Sequence, residues 1–224
     1  MKQSFTRKPL AESSGFTLVE LLVVIAMIAI LAAVVLTASG YAIKAAQRAK
    51  AANTAAQIQT AAMNYYTEYT VYPVPTSPAP GAGQDYLIQD ATANAPAWKA
   101  LIYGLSGNIN PYDGSTTSPT GAVANTRAIS FLSLKSSDVD SNGGPKNPLP
   151  TGTSIYFNIA IDNDYDNLCG DTGTTGKVPN FTTSTSITMF YYAAGTGPSG
   201  GVVVWANCNG STTSTFPNNY VHTY

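Results

Sequence analysis

The sequence predicts an α+β fold: one long N-terminal helix, with a small antiparallel sheet packed on its second half. Three observations predict it. Residues 16–36 form a nearly unbroken apolar run. Residues 37–72 are rich in alanine and hold no proline, so helix propensity stays high up to Pro73. Beyond that point Ser, Thr, Gly, Asn and Pro dominate, interrupted by short alternating apolar segments of strand character. The expected organisation is a leader over 1–15, a transmembrane or assembly helix over 16–36, an amphipathic continuation over 37–70 and a globular head over 71–224.

The first element is a membrane-length helix. Phe16–Leu36 is 21 residues, enough to cross the hydrocarbon core of a bilayer. Lys2, Arg7 and Lys8 precede it, and Lys44, Arg48 and Lys50 follow, so the positive-inside count does not set its orientation. A secretory signal peptide shares the basic start but places its small-residue cleavage site after the apolar run. Here Gly15 stands before the run, so removal of the leader alone leaves the helix on the chain.

Glu20 interrupts the apolar run. A carboxylate within a span costs about 3 kcal/mol at the centre, less near an interface, and such residues mark a function with a specific partner. No Lys or Arg lies within two helical turns on its C-terminal side. Cleavage after Gly15 would create a partner, the free α-amine of Phe16, and the amine of another copy could neutralise Glu20 in a helix bundle. A signal anchor with a stray Glu is the plainer alternative.

The second element continues the first. Tyr41, Ala45, Ala52, Ala56, Met63 and Tyr66 recur at helical spacing, flanked by Ile58, Ala62, Tyr65 and Tyr69. One helix from about Thr17 to Tyr69 would be roughly 80 Å long. Gly40 is its expected soft point, because Gly costs a helix about 1 kcal/mol relative to Ala.

The head follows an irregular Pro- and Gly-rich loop, "YPVPTSPAPGAGQDY". A short helix is expected around Trp98, Leu101, Ile102 and Leu105, with Asn94 as N-cap, Pro96 in the first turn and Gly107 past the end. Strands are expected in "RAISFLSL", "SIYFNIAI", "SITMFYYAA" and "GGVVVWANC", the last near-continuously apolar and therefore central.

Composition narrows the functional classes. Net charge is −1 and only 10% of the 224 residues are charged, against about a quarter in an ordinary soluble protein. Neither nucleic acid nor an acidic membrane surface is implied as a partner. Cys169 and Cys208 read as one disulfide if the head is exported, worth about 4 kcal/mol on a chain-entropy argument; two free buried thiols are the alternative. Asp162, Asp164 and Asp166 alternate directly after the best strand, with Asp171 beyond. Such carboxylates can converge on a hard cation, with calcium the expected one. The sixth and twelfth positions of an EF-hand loop would be Asn167 and Gly173, so this is not an EF-hand, and a solvated turn is the plainer alternative. The single histidine, His222, stands near the C-terminus. No nucleophile elbow, HExxH or phosphate-cradling Gly loop is present, and no enzyme is expected.

"GFTLVELLVV", from Gly15 to Val24, resembles the cleavage and methylation motif of type IV prepilins and type II secretion pseudopilins. The resemblance implies that a prepilin peptidase cuts between Gly15 and Phe16 and that Phe16 is N-methylated. It also implies that Glu20 pairs with a neighbour's amine in a helical filament. Many pilin helices carry Pro at the position occupied here by Thr37, so a kink there is less secure. From "YYTEYTVYP" through "NTRAISFLSLKSSDVD" to "IYFNIAIDNDYDN" the head looks like the major pseudopilin of type II secretion, some of whose relatives bind calcium. The family's Asp-Pro-Trp-Gly segment is replaced by Asn147–Tyr156. A C-terminal region with two cysteines is closer to type IV pilins. The resemblance implies self-association into a homopolymer, minor pseudopilins, an inner-membrane assembly platform and lipid as partners. The head would lie in the periplasm. A type IV pilin for adhesion, motility or DNA uptake, and a calcium-binding single-pass protein that does not polymerise, are the alternatives.

Overall fold

A computed structural model describes residues 15–81, 83–89, 94–151, 154–169, 178–180, 190–193, 195–208 and 220–224. The chain divides into two compact units at residues 43 and 44. Helix α1 (Leu18–Tyr69) runs unbroken through Gly40. Without a proline at position 37 no backbone hydrogen bond is removed, and one interior glycine is too weak a breaker to end a helix of this length. In the first unit every residue from Leu18 to Leu36 is exposed. By length and composition this stretch can cross a membrane.

The second unit is an α+β head. Its main sheet has four antiparallel strands in the order β1 (Tyr86–Ile88), β4 (Asn158–Ile161), β7 (Val202–Asn207), β8 (Tyr220–His222). Two small ribbons complete it, β2 (Lys146–Thr151) with β3 (Ser154–Tyr156) and β5 (Pro179–Asn180) with β6 (Phe190–Tyr191). Helix α2 (Ala95–Leu105) is buried almost all round. Asn94 precedes it, as expected, but its side chain bonds the Gln89 carbonyl at 3.0 Å rather than capping the helix.

Strand β7 is the central strand its apolar run predicted, with all six residues buried. Val202, Val204 and Ala206 join the core under α1, while Val203 and Trp205 face a second cluster on the opposite side. The expected strand over 154–161 is divided at Phe157: β3 pairs with β2, and β4 pairs with β1 and β7. β2 contains Pro148 and Pro150 and pairs on one side only, where missing N–H donors are tolerated.

Two expectations need correction. "RAISFLSL" is not a strand; the amides of Phe131 and Leu132 both donate to the Leu105 carbonyl, so the segment straps the end of α2. The buried face of α1 is Ala51, Ala55, Ile58, Ala62 and Tyr65, while Tyr41, Ala45, Ala52, Ala56 and Met63 point outward. Alanine lies on both sides of the helix, so its spacing alone does not tell the buried stripe from the exposed one.

Candidate functional site: the start of the long helix

Gly15, Phe16 and Thr17 are non-helical, and α1 begins at Leu18. Leu21 N donates to the Thr17 carbonyl at 3.2 Å, which makes Thr17 the N-cap. Its side chain accepts from Glu20 N at 3.3 Å. In return Glu20 Oε2 accepts from Thr17 N and from Thr17 Oγ1, both at 2.8 Å. This is a capping box, in which an N-cap hydroxyl and an N3 carboxylate satisfy each other's backbone donors. The T-x-x-E spacing ahead of an apolar run is its sequence signature, and reading Glu20 only as an intramembrane charge overlooked it.

Gly15 has no such local explanation. A Cβ built on it meets no atom within 4 Å. Among the described residues neither packing nor a left-handed backbone calls for glycine there. Phe16 is 76% exposed.

A match to the motif follows from these residues. Residues 11–36 match the model of the prokaryotic N-terminal methylation motif. This is the signature of the type IV pilin and pseudopilin class, and with the long helix and small sheet it makes the arrangement pilin-like. The motif implies processing by a prepilin peptidase and assembly into a pilus or pseudopilus, and it fits membrane anchoring before assembly. Comparison with curated proteins and with solved structures gave no match.

The acidic cluster lies in the head. Asp85 precedes β1 and Asp162 follows β4, and the register Tyr86↔Ile161 makes them neighbours across the sheet end. Oxygens of Asp85, Asp162 and Asp164 lie within 4.8 Å of one another. Asp162 is buried and accepts from Tyr165 N at 2.6 Å and Asn167 N at 3.0 Å; Asp85 accepts from Asn163 N at 3.2 Å. Burial pushes the Asp162 carboxyl up; the two amide bonds oppose this, and the charges of Asp164 and Asp166 add to it. The Tyr72 phenol is also raised, to about 12, by burial and then by the Asp162 charge.

The cluster differs from the one expected. Asp166 is exposed and caps Leu168 N at 2.8 Å, and Asp171 lies outside the described residues. Asp85 takes their place, and only strand pairing across a long sequence gap brings it there. The three carboxylates are hard oxygen donors of the kind a calcium-sized cation takes.

The Cys169–Cys208 bond is not present; both are free, buried thiols. Cys208 packs in the cluster under α1, whereas Cys169 packs against Ala160, Val203 and Trp205 on the other face of the sheet. The two sulfurs therefore sit in separate clusters. Burial raises both thiols, which keeps them protonated and unreactive.

Proposed function

We propose that this chain is a structural subunit of a type II secretion pseudopilus, without catalytic activity of its own. It is cut between Gly15 and Phe16, N-methylated at Phe16 and polymerised through its apolar helix. The observation that carries the reading is a carboxylate, Glu20, in the first turn of a helix whose stretch from Leu18 to Leu36 is otherwise apolar and exposed, five residues after a glycine whose added Cβ would meet no atom within 4 Å. An exposed apolar helix needs lipid before assembly and other copies of itself afterwards. Glu20 of one subunit then meets the Phe16 amine of a neighbour. The peptidase, an inner-membrane platform and minor pseudopilins are the partners, and the head is periplasmic.

A type IV pilus subunit is the competing reading of the same motif. The feature that favours it is the pair of cysteines, Cys169 and Cys208, in the C-terminal region. Deleting the gene separates the two. The pseudopilus reading expects secreted enzymes to accumulate in the periplasm while surface filaments persist. Normal secretion with loss of surface filaments or motility supports the pilus instead. We also propose calcium as the cation for Asp85, Asp162 and Asp164, as a support of head stability.

A further inference from the structure

The net charge of −1 hides a local asymmetry along α1. Between Glu20 and Glu68 there is no acid, while Lys44, Arg48 and Lys50 supply three cations, and residues 21–43 carry no charge at all. The 24 steps from Glu20 to Lys44 measure about 36 Å as helix. A bilayer is about 30 Å thick in its hydrocarbon core and about 40–45 Å with its headgroups, so a chain with Glu20 in one headgroup layer carries Lys44 in the other. The same two cations continue a packing pattern. Ala51, Ala55, Ile58, Ala62 and Tyr65, the buried face of α1, recur at alternating steps of four and three. Carried back from Ala51 by the same steps, the stripe reaches Arg48 and then Lys44, and both are exposed. The head stops covering the stripe where it turns from apolar to basic. Lys50 pairs with Asp138 and Arg127 with Glu68, but among the described residues Lys44 and Arg48 make no ion pair. Helical side chains lean toward the N-terminus, which directs both cations at the end of the uncharged run.

We propose, on the reading of this chain as membrane-anchored before assembly, that Lys44 and Arg48 form a phospholipid site that grips headgroup phosphates on the head's side of the bilayer. The two stand at i and i+4, neighbours on one helix face. The Arg48 fork suits the paired oxygens of a phosphate, and Lys44 adds a point charge beside it. Anionic lipid is preferred, and the grip fixes the depth at which α1 sits. An acid of a second copy is the competing partner, but residues 21–67 of a neighbouring helix offer none.

Full-length chain carrying Arg7→Lys keeps only Arg48 and Arg127 as arginines, and these can be labelled with ¹³C at Cζ. Diluted in vesicles of phosphatidylethanolamine and phosphatidylglycerol, it should show Cζ within about 5 Å of lipid ³¹P by dipolar recoupling, the reach of a guanidinium–phosphate hydrogen bond. Adding Arg48→Gln should abolish that coupling. In detergent, affinity for phosphatidylglycerol should fall about thirtyfold in the double variant Lys44→Gln, Arg48→Gln, and by less than about twofold in Lys50→Gln, whose amine is held by Asp138. Inorganic phosphate at the same concentration should not compete. Coupling that survives Arg48→Gln, an equal loss in Lys50→Gln, or full competition by inorganic phosphate overturns the proposal. So does Arg48 coupled to a carboxylate of a second copy in filaments with no coupling to lipid in vesicles. A chain that resists alkaline carbonate extraction yet shows no ³¹P coupling overturns this inference alone. A chain that carbonate strips from the vesicles overturns the membrane-anchored reading and this inference with it.

Discussion

Asn125 is a side chain whose loss should spread furthest through the head. It is buried, and its Nδ2 donates to the Gly104 and Ile129 carbonyls, both at 2.7 Å. Its Oδ1 accepts from the Tyr69 hydroxyl at 2.7 Å and Ile129 N at 3.1 Å. One amide thereby joins the end of α1, the end of α2 and the strap over 125–132. Asn125→Ala leaves that hydroxyl and the carbonyls with fewer partners in a dry place. It should destabilise the detergent-solubilised chain by roughly 2–4 kcal/mol in urea. At the site itself, Gly15→Ala clashes with nothing within 4 Å, so it should fold normally yet slow leader removal, read as intact mass. Unimpaired cleavage would remove the case for recognition. Asp162 supplies a pH dependence. Its folded pKa is raised, so its contribution to stability is present below the ordinary carboxylate range and is lost as pH rises through the folded value. The stability of wild type relative to Asp162→Asn should therefore fall between acid and neutral pH. Calcium at about millimolar concentration should restore it at neutral pH by binding the ionised set, and should do nothing for Asp164→Ala.

Elements differed in how far the sequence disclosed them. α1 was visible from its length and its alanine-rich, proline-free run, α2 because its apolar period agrees with burial, and β7 because six consecutive apolar residues need both faces covered. β1 and β8 were not foreseen. Each is three residues long and is a strand only because a neighbour pairs with it, which is long-range information. The same reason hid Asp85. Thr17 differs, since its cap signature was local and legible. Packing of the chain on α2 can be tested at Gly104, where a Cβ would stand 2.6 Å from Val123 Cβ. Gly104→Ala should cost about 1–3 kcal/mol by pushing Val123 off α2, although alanine is the better helix former. Gly40→Ala, with nothing within 4 Å, should instead slow hydrogen exchange in the middle of α1 and raise helix stability by up to about 1 kcal/mol.

At the scale of the whole molecule, the question is what holds together a head so poor in charge and so rich in small polar residues. A disulfide was the expected answer, since two cysteines in an exported domain ordinarily read as one bridge. The structure supplies others. Lys50 pairs with Asp138 at 2.6 Å, and Arg127 pairs with Glu68, so the long loop is tied to α1 at both ends of its buried face. The Tyr65 hydroxyl donates to the Ala124 carbonyl, and Tyr69 accepts from Arg127 N at 3.1 Å. The sheet is packed on both faces, with one cysteine in each core. These contacts make no use of redox chemistry. Thermal unfolding of the intact chain should therefore have the same midpoint with and without excess reductant. Cys169→Ala and Cys208→Ala should each cost only what a small buried side chain costs, about 1 kcal/mol, and together their sum, because the two sites share no partner. A thiol reagent should label neither cysteine in the folded chain and both after unfolding. A midpoint that drops in reductant, or a double variant no worse than either single one, would instead show that the two thiols are joined in the native protein.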